Sequence, residues 1–575
     1  MIELLKDLHD QDLIADIDWH FAREIARFDG HEHPEVALAA ALASVQTRRG
    51  HVCLDLADCA AGSLSAVLED ASLGDRQIPD YMLPELEEWQ HSLLSSPVVA
   101  GPDCERQAPL VLDDAGRLYL ARYRRAETDV AVRLIEMARA RERLSGVDGK
   151  LGRLFGEGDD DQRRAAEAVL SRRLCVVTGG PGTGKTFVAA RVIALLLDSG
   201  LARLDRIALV APTGKAAARL QESVSVQVES LAATVAALAD YRAKASTVHR
   251  LLYQARDGGL PVDAVILDEA SMVDLALMSR LLDALPDAGR LVVLGDADQL
   301  ASVQPGAVLG DLCAAAAVPG SPLDGCVLAL TKSRRFAKDS GIGRLADAIV
   351  SGDVAGALDA LNDPRDSRTE LHPMGDTRAF DRFAASHAVE SWAPCLENPH
   401  EVPFPKLRVL CAHRHGPFGT YRFNRLVEAE LRRRGLVGRE EFYPGRPIIV
   451  TRNDRATALS NGDTGIVVDG GDGRRVWFPD LKRSDGERFE VSPARLPAHD
   501  SFFALTVHRA QGSEYDEVAF VPGPAESRVV TRELFYTAVT RAREKVVVHG
   551  TEDGVMEAVV RSTDRVGGLA SRLAS

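Results

Sequence analysis

The sequence predicts an α/β fold: two parallel sheets clothed in helices, a mainly helical front segment, and a small antiparallel β insert late in the chain. Three observations predict it. From residue 174 onward, short and wholly apolar runs alternate with helical stretches, which suits strands buried on both faces. Through the first 50 residues, apolar positions recur at intervals of three and four. Between 440 and 500, turn residues become frequent and the runs short. At 575 residues the chain has room for three to five domains, and its 46% apolar content is ordinary for globular protein.

In chain order, residues 1–95 read mostly as helices, with one short strand in "GHVCLDL" (50–56). "LVLDDAGRLYLARY" (110–123) reads as a hairpin turning at Asp-Asp-Ala-Gly, followed by a charged helix to about 145. "SGVDGKLGRLFGEGDDDQ" (145–162), rich in Gly and Asp, reads as a linker. The first strand set is LCVVT (174–178), RIALVA (206–211), DAVILDE (263–269) and RLVVLGD (290–296). The second is KLRVLC (406–411), FFALTV (502–507), DEVAFV (516–521) and KVVVHG (545–550). The stretch from "RPIIV" to "RRVWFPD" marks the insert, expected to be barrel-like. The expected divisions are 1–145, 146–328, 329–424 together with 500–575, and 425–499.

Charge and cysteines narrow the class. With 69 basic and 84 acidic residues the net charge is −15, so a uniformly basic nucleic-acid binder is excluded while a local basic groove is not. The eight cysteines contain no CxxC pair, which points to reduced thiols in a cytoplasmic protein rather than to a zinc or disulfide scaffold. The start, MIELLKDLHDQDLIADIDWH, mixes acids into its apolar positions, so no secretory signal is expected. No run of 18 uncharged apolar residues exists, so no membrane span is expected. "HEHP" (31–34) and "HRH" (413–415) lack a third metal ligand at suitable spacing.

The chemistry begins at "GGPGTGKT" (179–186), a G-x-x-x-x-G-K-[ST] loop between a strand and a helix. Its glycines let backbone N–H groups of Gly179, Gly180, Gly182, Thr183 and Gly184, around Pro181, turn inward onto phosphate oxygens. Lys185 reaches the β- and γ-phosphates, and the Thr186 hydroxyl ligates Mg²⁺. "AVILDEASMVD" puts Asp268 at the end of a strand, where it can hold Mg²⁺ through the Thr186 shell, with Glu269 placed to orient and deprotonate the attacking water. "VVLGDADQL" repeats the design: an amide at Gln299 can bond the γ-phosphate or its water. Two basic runs, "LTKSRRF" (330–336) and the helical stretch "ELFYTAVTRAREK" (533–545), offer guanidiniums for the charge that develops on the γ-oxygens. Either run alone is ordinarily a solvated face; the other motifs give them meaning.

Together these stretches resemble the motifs of superfamily 1 helicases. "DQRRAA" (161–166) looks like the adenine-reading Gln motif, with Gln162 as reader. "GGPGTGKT" looks like motif I, "APTGKAAARL" (211–220) Ia, "STVHRLL" (246–252) Ib, "DEAS" (268–271) II, "GDADQL" (295–300) III and "LTKSRRF" IV. "LTVHRAQGSEYDEV" (505–518) looks like motif V and "LFYTAVTRAR" (534–543) motif VI, all in the family's order. "HRAQGSE", "YTAVTRAR", "LCAHRHGPFGTYRFN" (410–424), "NGDTG" (461–465) and "GRLYLARYRRAE" (116–127) are similar to the RecD branch of the 5′→3′ helicases. That resemblance implies two RecA-like P-loop NTPase lobes: 1A in 146–328, with a small 1B insert, and 2A in 329–424 and 500–575. It implies an SH3-like 2B insert at 425–499 and a partner-docking domain at 1–145. One ATP is expected in the cleft, with Arg335 and Arg541 reaching it from the second lobe. DNA contacts carry over to Pro212, Thr213, Thr247, His249, Asn424, Thr506, His508 and Gln511. The implied activity is ATP-driven 5′→3′ translocation and unwinding, acting on single-stranded and duplex-end DNA. The implied setting is a cytoplasmic repair nuclease shared with RecB and RecC subunits. A stand-alone helicase of the same superfamily is the rival; such relatives tend to carry long N-terminal helix-hairpin-helix repeats, and none reads in 1–145. A binding subunit with a vestigial site would lack catalytic residues, and all are present. No acid cluster with a catalytic lysine lies outside the motifs, so nuclease activity is expected from a partner.

Overall fold

Four sheets organise the chain in a computed structural model that describes residues 1–575 apart from 69–77, 103–105, 142–146, 157, 256–258, 337–339, 472, 483–486 and 564. The first large sheet is wholly parallel and six-stranded. Its order is Val327–Ala329, Leu174–Thr178, Arg290–Gly295, Ala264–Leu267, Ile207–Ala211, Ala245–Thr247. Alternate residues face opposite sides. Cys175, Val177, Ile266 and Leu294 pack on the side of helix Lys185–Asp198. Val176, Val265, Leu267 and Val293 pack on the side of helix Leu275–Ala284. Burial on both faces explains why these strands read as unbroken apolar runs.

The second large sheet is also parallel, with five strands ordered Thr369–Pro373, Ala542–Gly550, Tyr515–Val521, Leu407–Cys411, Ala504–Thr506. Its two faces bury Leu410, Phe520 and Val548 on one side and Val409, Ala519 and Val521 on the other. A five-stranded antiparallel sheet between Pro447 and Ser501 has its own small core of Ile448, Val450, Val467, Val476 and Phe478. In front, a four-stranded sheet packs with several helices, of which Pro34–Arg48 is buried nearly all round. Buried Asp18 is held there by Ser44 Oγ at 2.7 Å and Arg48 Nη2 at 2.6 Å.

The eight large-sheet strands read from the sequence are all strands here, with ends shifted by a few residues. Thr506 closes the shortest of them because its hydroxyl caps the helix that starts at Val507. In the two parallel sheets three strands were not legible, Ala245–Thr247, Val327–Ala329 and Thr369–Pro373, all edge strands that are partly exposed or polar. The hairpin runs Leu110–Leu112 to Arg117–Leu120, and helix begins at Ala121, inside the stretch read as strand. The stretch read as a linker holds two helices, Val147–Leu154 and Asp160–Ser171, because Leu151, Leu154, Ala165 and Val169 recur at helical spacing and bury against the first sheet's core. The expected boundary at 145–146 lies outside the described residues. Residues 425–433 belong to helix Thr420–Arg433, whose Phe423, Val427 and Leu431 pack on the second parallel sheet rather than on the insert.

Candidate nucleotide site and strand interface

The site lies where the carboxyl ends of the first sheet's strands meet the second lobe, the place an open parallel sheet leaves for ligands. Strand Leu174–Thr178 ends in the loop 179–184, and helix Lys185–Asp198 starts at once. Gly182 (φ 76°) and Gly184 (φ 98°) occupy the left-handed region, which glycine enters without a Cβ penalty. Lys185 Nζ donates to Gly179 O at 2.5 Å and Gly180 O at 3.0 Å, which keeps the ammonium folded over the loop. Gln162 is buried and its Nε2 donates to Thr183 O at 3.0 Å, so the expected adenine reader also braces the loop.

Asp268 follows the strand Ala264–Leu267, and its Oδ1 accepts the Glu269 N–H at 2.9 Å. Glu269 stands at φ 52°, an uncommon conformation for a side-chain-bearing residue and of the kind that gathers at functional sites. Burial, then the charge of Glu269, pushes the Asp268 carboxyl up against the pull of Lys185. Gln299 is buried; its Nε2 donates to Asp296 Oδ2 at 2.9 Å, while its Oε1 has no partner among the described residues. Tyr536, from helix Arg532–Val539 of the second lobe, donates its hydroxyl to the same Asp296 oxygen at 3.1 Å. Burial, and then Asp296, drives the phenol upward, so it stays protonated and donating.

A cavity of about 230 Å³ is lined by Lys185, Thr186, Asp268, Glu269, Gln299, Arg335 and Arg541, so one space gathers residues spread over more than half the chain. Two placements differ from expectation. Arg335 does not come from the second lobe: residues 330–336 run from the last strand of the first sheet directly across the loop, with Leu330 N on Thr178 O and Arg334 N on Gly182 O, both at 2.8 Å. Arg541 lies beyond its helix, which ends at Val539, with Nε on Thr537 O at 3.2 Å and Nη1 on Ser513 O at 3.3 Å. The sequence reading missed Arg219 and Glu514. Glu514 pairs with Arg335 and, at 2.8 Å, with Arg219 of helix Gly214–Leu231. Burial would raise its carboxyl, but the two guanidiniums hold it down at about 2.

Thr186 and Asp268 supply hard oxygen donors in one cavity, and magnesium takes only one or two such protein ligands beside phosphates and water. Among the described residues no group of three or more His, Cys, Asp or Glu could hold a metal by itself.

The expected strand contacts fall into two groups. Pro212 and Thr213, with Thr247 and His249, follow adjacent strands of the first sheet, and the two threonine hydroxyls cap helices at 3.2 Å. Thr506 and His508 do the same on the second sheet, where burial, then the charge of Arg565, pushes the His508 imidazole down and keeps it neutral. Asn424 and Gln511 have work inside the fold. Asn424 bridges Ser501 O (2.9 Å) and Ala504 N (2.7 Å), and Gln511 Nε2 donates to Leu300 O at 2.9 Å across the two lobes. A basic pocket of about 270 Å³ that motif reading did not reveal adjoins Asn424 and Thr506. Arg414, Arg425 and Arg509 line it beside Tyr421, whose ring stacks on His415 at 5.6 Å.

Family models match along the chain: the RecBCD enzyme subunit RecD N-terminal domain over 10–119, an AAA domain over 157–368, and a UvrD-like helicase C-terminal domain over 501–549. The RecBCD enzyme subunit RecD of Mycobacterium tuberculosis (strain ATCC 25618 / H37Rv) is 40% identical, covering 97% of this chain and 94% of its own length. That of Mycolicibacterium smegmatis is 38% identical, covering 98% of each. The ATP-dependent RecD2 DNA helicase of Deinococcus radiodurans is 31% identical over 80% of this chain but only 59% of its own length.

Proposed function

The chain belongs to the RecD family of RecBCD enzyme subunits, and we propose that its cleft residues turn ATP hydrolysis into 5′→3′ movement along DNA. It is an ATP-dependent DNA helicase subunit of a RecBCD enzyme, and RecB and RecC are its partners. One observation carries the proposed site: Lys185, Asp268, Glu269, Gln299, Arg335 and Arg541 converge on one cavity between the lobes. Lys185 and the loop N–H groups bind the phosphates, and Gln162 braces the loop beneath the base. Glu269 takes the proton of the attacking water, and Gln299 orients that water. Thr186 and Asp268 would hold magnesium, which would supply positive charge against that of the phosphates. Arg541 and Arg335 stabilise the charge that develops on the γ-oxygens. Because Arg541 comes from the second lobe and the P-loop from the first, the site is complete only when the lobes are closed, which couples turnover to lobe movement.

The strand crosses the carboxyl ends of both sheets, held by Pro212, Thr213, Thr247, His249, Thr506 and His508. The basic pocket with Tyr421 adds phosphate contacts and a stacking surface. The front domain, matched over 10–119 by the RecD N-terminal model, docks the partners, and exposed Ile17 and Phe28 on it suit such a surface. That match favours a partnered subunit over a stand-alone helicase. The nuclease centre belongs to a partner, and the complex works in the cytoplasm at DNA ends. Lys185→Gln tests the motor: the variant keeps its fold by circular dichroism and loses DNA-stimulated ATP hydrolysis. Unchanged turnover overturns the assignment of this cavity.

A further inference from the structure

Asp296 sits at the junction of the lobes and accepts from both. Its Oδ2 receives Gln299 Nε2 at 2.9 Å from the first lobe and the Tyr536 hydroxyl at 3.1 Å from the second. Its Oδ1 receives the Asp298 N–H at 3.2 Å. Burial pushes the Asp296 carboxyl up, against the pull of Lys185 and of the hydrogen bonds from Gln299, Asp298 and Tyr536; in its ionised form it only accepts, so the Gln299 amide turns its nitrogen toward Asp296 and its oxygen away. That oxygen is buried and has no partner among the described residues, and Gln299 lines the cavity with Glu269 and Lys185. A buried acceptor without a donor is costly, so the position calls for a hydrogen supplied by what binds there. A γ-phosphate oxygen has none to give; the attacking water has. The Tyr536 hydroxyl also abuts the phosphate loop, since a Cβ built on Gly180 would meet it at 2.9 Å.

We infer that Tyr536 is a positioning residue for hydrolysis: through Asp296 it fixes the Gln299 carboxamide with its oxygen toward the attacking water, and only when the lobes are closed. The inference rests on the assignment of Gln299 to the water. It deepens that assignment by naming the device that sets the amide and ties it to lobe closure. Two neighbouring bonds close with it, Leu300 N to Thr537 Oγ1 at 2.8 Å and Gln511 Nε2 to Leu300 O at 2.9 Å, so the turn carrying Gln299 is held from the second lobe on both sides.

Tyr536→Phe keeps the ring and removes only the hydroxyl. In the full chain, with single-stranded DNA and Mg²⁺, kcat for ATP falls roughly tenfold, the factor expected for one hydrogen bond to a charged group, while KM changes less than twofold. In a Gln299→Ala background the same substitution costs less than twofold more, because the amide it positions is gone. A structural role would give equal losses in both backgrounds. Unchanged kcat in Tyr536→Phe, or a full tenfold loss added to Gln299→Ala, overturns the relay. Asp296→Asn reads the relay from its centre if Tyr536→Phe fails to fold: it is expected to lower kcat with KM spared, and to add nothing to Gln299→Ala. Gln299→Ala alone separates the two claims. If it leaves kcat unchanged, the role of Gln299 fails and the relay with it; if kcat falls while Tyr536→Phe is silent, only the relay fails.

Discussion

Arg541 has two backbone acceptors, Thr537 O and Ser513 O, and among the described residues no carboxylate accepts from it, which suits its proposed place facing a γ-phosphate. Arg335 is tied to Glu514. The difference assigns the larger catalytic share to Arg541. Arg541→Ala lowers kcat by about 10³-fold or more while ATP binding weakens far less, as expected of an arginine finger; steady-state rates beside nucleotide titration check it, and a loss below tenfold reassigns the role to Arg335. Glu514 belongs to the same scale. Its carboxyl is held at about 2, below the ordinary 4.5, so the unfolded chain takes up its proton first. The stability it contributes is therefore full above pH 4.5 and is lost as pH falls toward about 2. Glu514→Gln leaves Arg219 and Arg335 facing each other uncompensated. It costs about 3 kcal/mol near neutral pH, the low end for breaking a buried pair, and removes this part of the acid dependence. Denaturant melts at pH 7 and pH 3 would show the two proteins closer together at the lower pH.

At the scale of elements, what was legible followed from local pattern. That Lys185, Thr186 and Asp268 share one cavity was readable because each sits in a contiguous motif at a strand's end. Val176 and Val177 were readable as a buried strand because both faces are covered. Glu514, Arg219 and the Tyr536–Asp296 bond were not, since each depends on residues some 180 to nearly 300 positions apart meeting in space. Val327–Ala329 escaped because three half-exposed residues leave a weak period, and Arg335 was misplaced with it. The segment after Val560 was equally silent, yet it clasps the front domain. Val52 N donates to Val566 O at 2.8 Å, and buried Glu127 accepts from Gly568 N (2.9 Å), Arg572 Nε (2.8 Å) and Tyr119 Oη (3.2 Å). Glu127→Ala leaves the Arg572 guanidinium only its second partner, Asp113 at 3.2 Å, and lowers stability by about 3 kcal/mol. Limited proteolysis would show residues 565–575 cleaved first. A loss below about 1 kcal/mol, with the segment still protected, would mean that helix Leu569–Ala574 holds the clasp through its apolar contacts alone.

At the scale of the molecule, hydrogen bonds tie the front domain to the turn beside the cavity between the lobes. Gly306 N, in the turn beyond Gln299, donates to Gly50 O of the front domain at 3.1 Å, and Arg565 Nη2 donates to Ser302 O of that turn at 2.8 Å. A partner seated on the front domain thus lies a few bonds from the residues assigned to hydrolysis. The central claim is that lobe closure around ATP drives directional movement on a strand. Unwinding by the full chain, with ATP and Mg²⁺, on duplexes bearing either a 5′ or a 3′ single-stranded tail tests it most directly. Only the 5′-tailed duplex is expected to open, and Lys185→Gln to abolish that opening; opening of the 3′-tailed duplex, or opening that survives Lys185→Gln, overturns the motor and its direction.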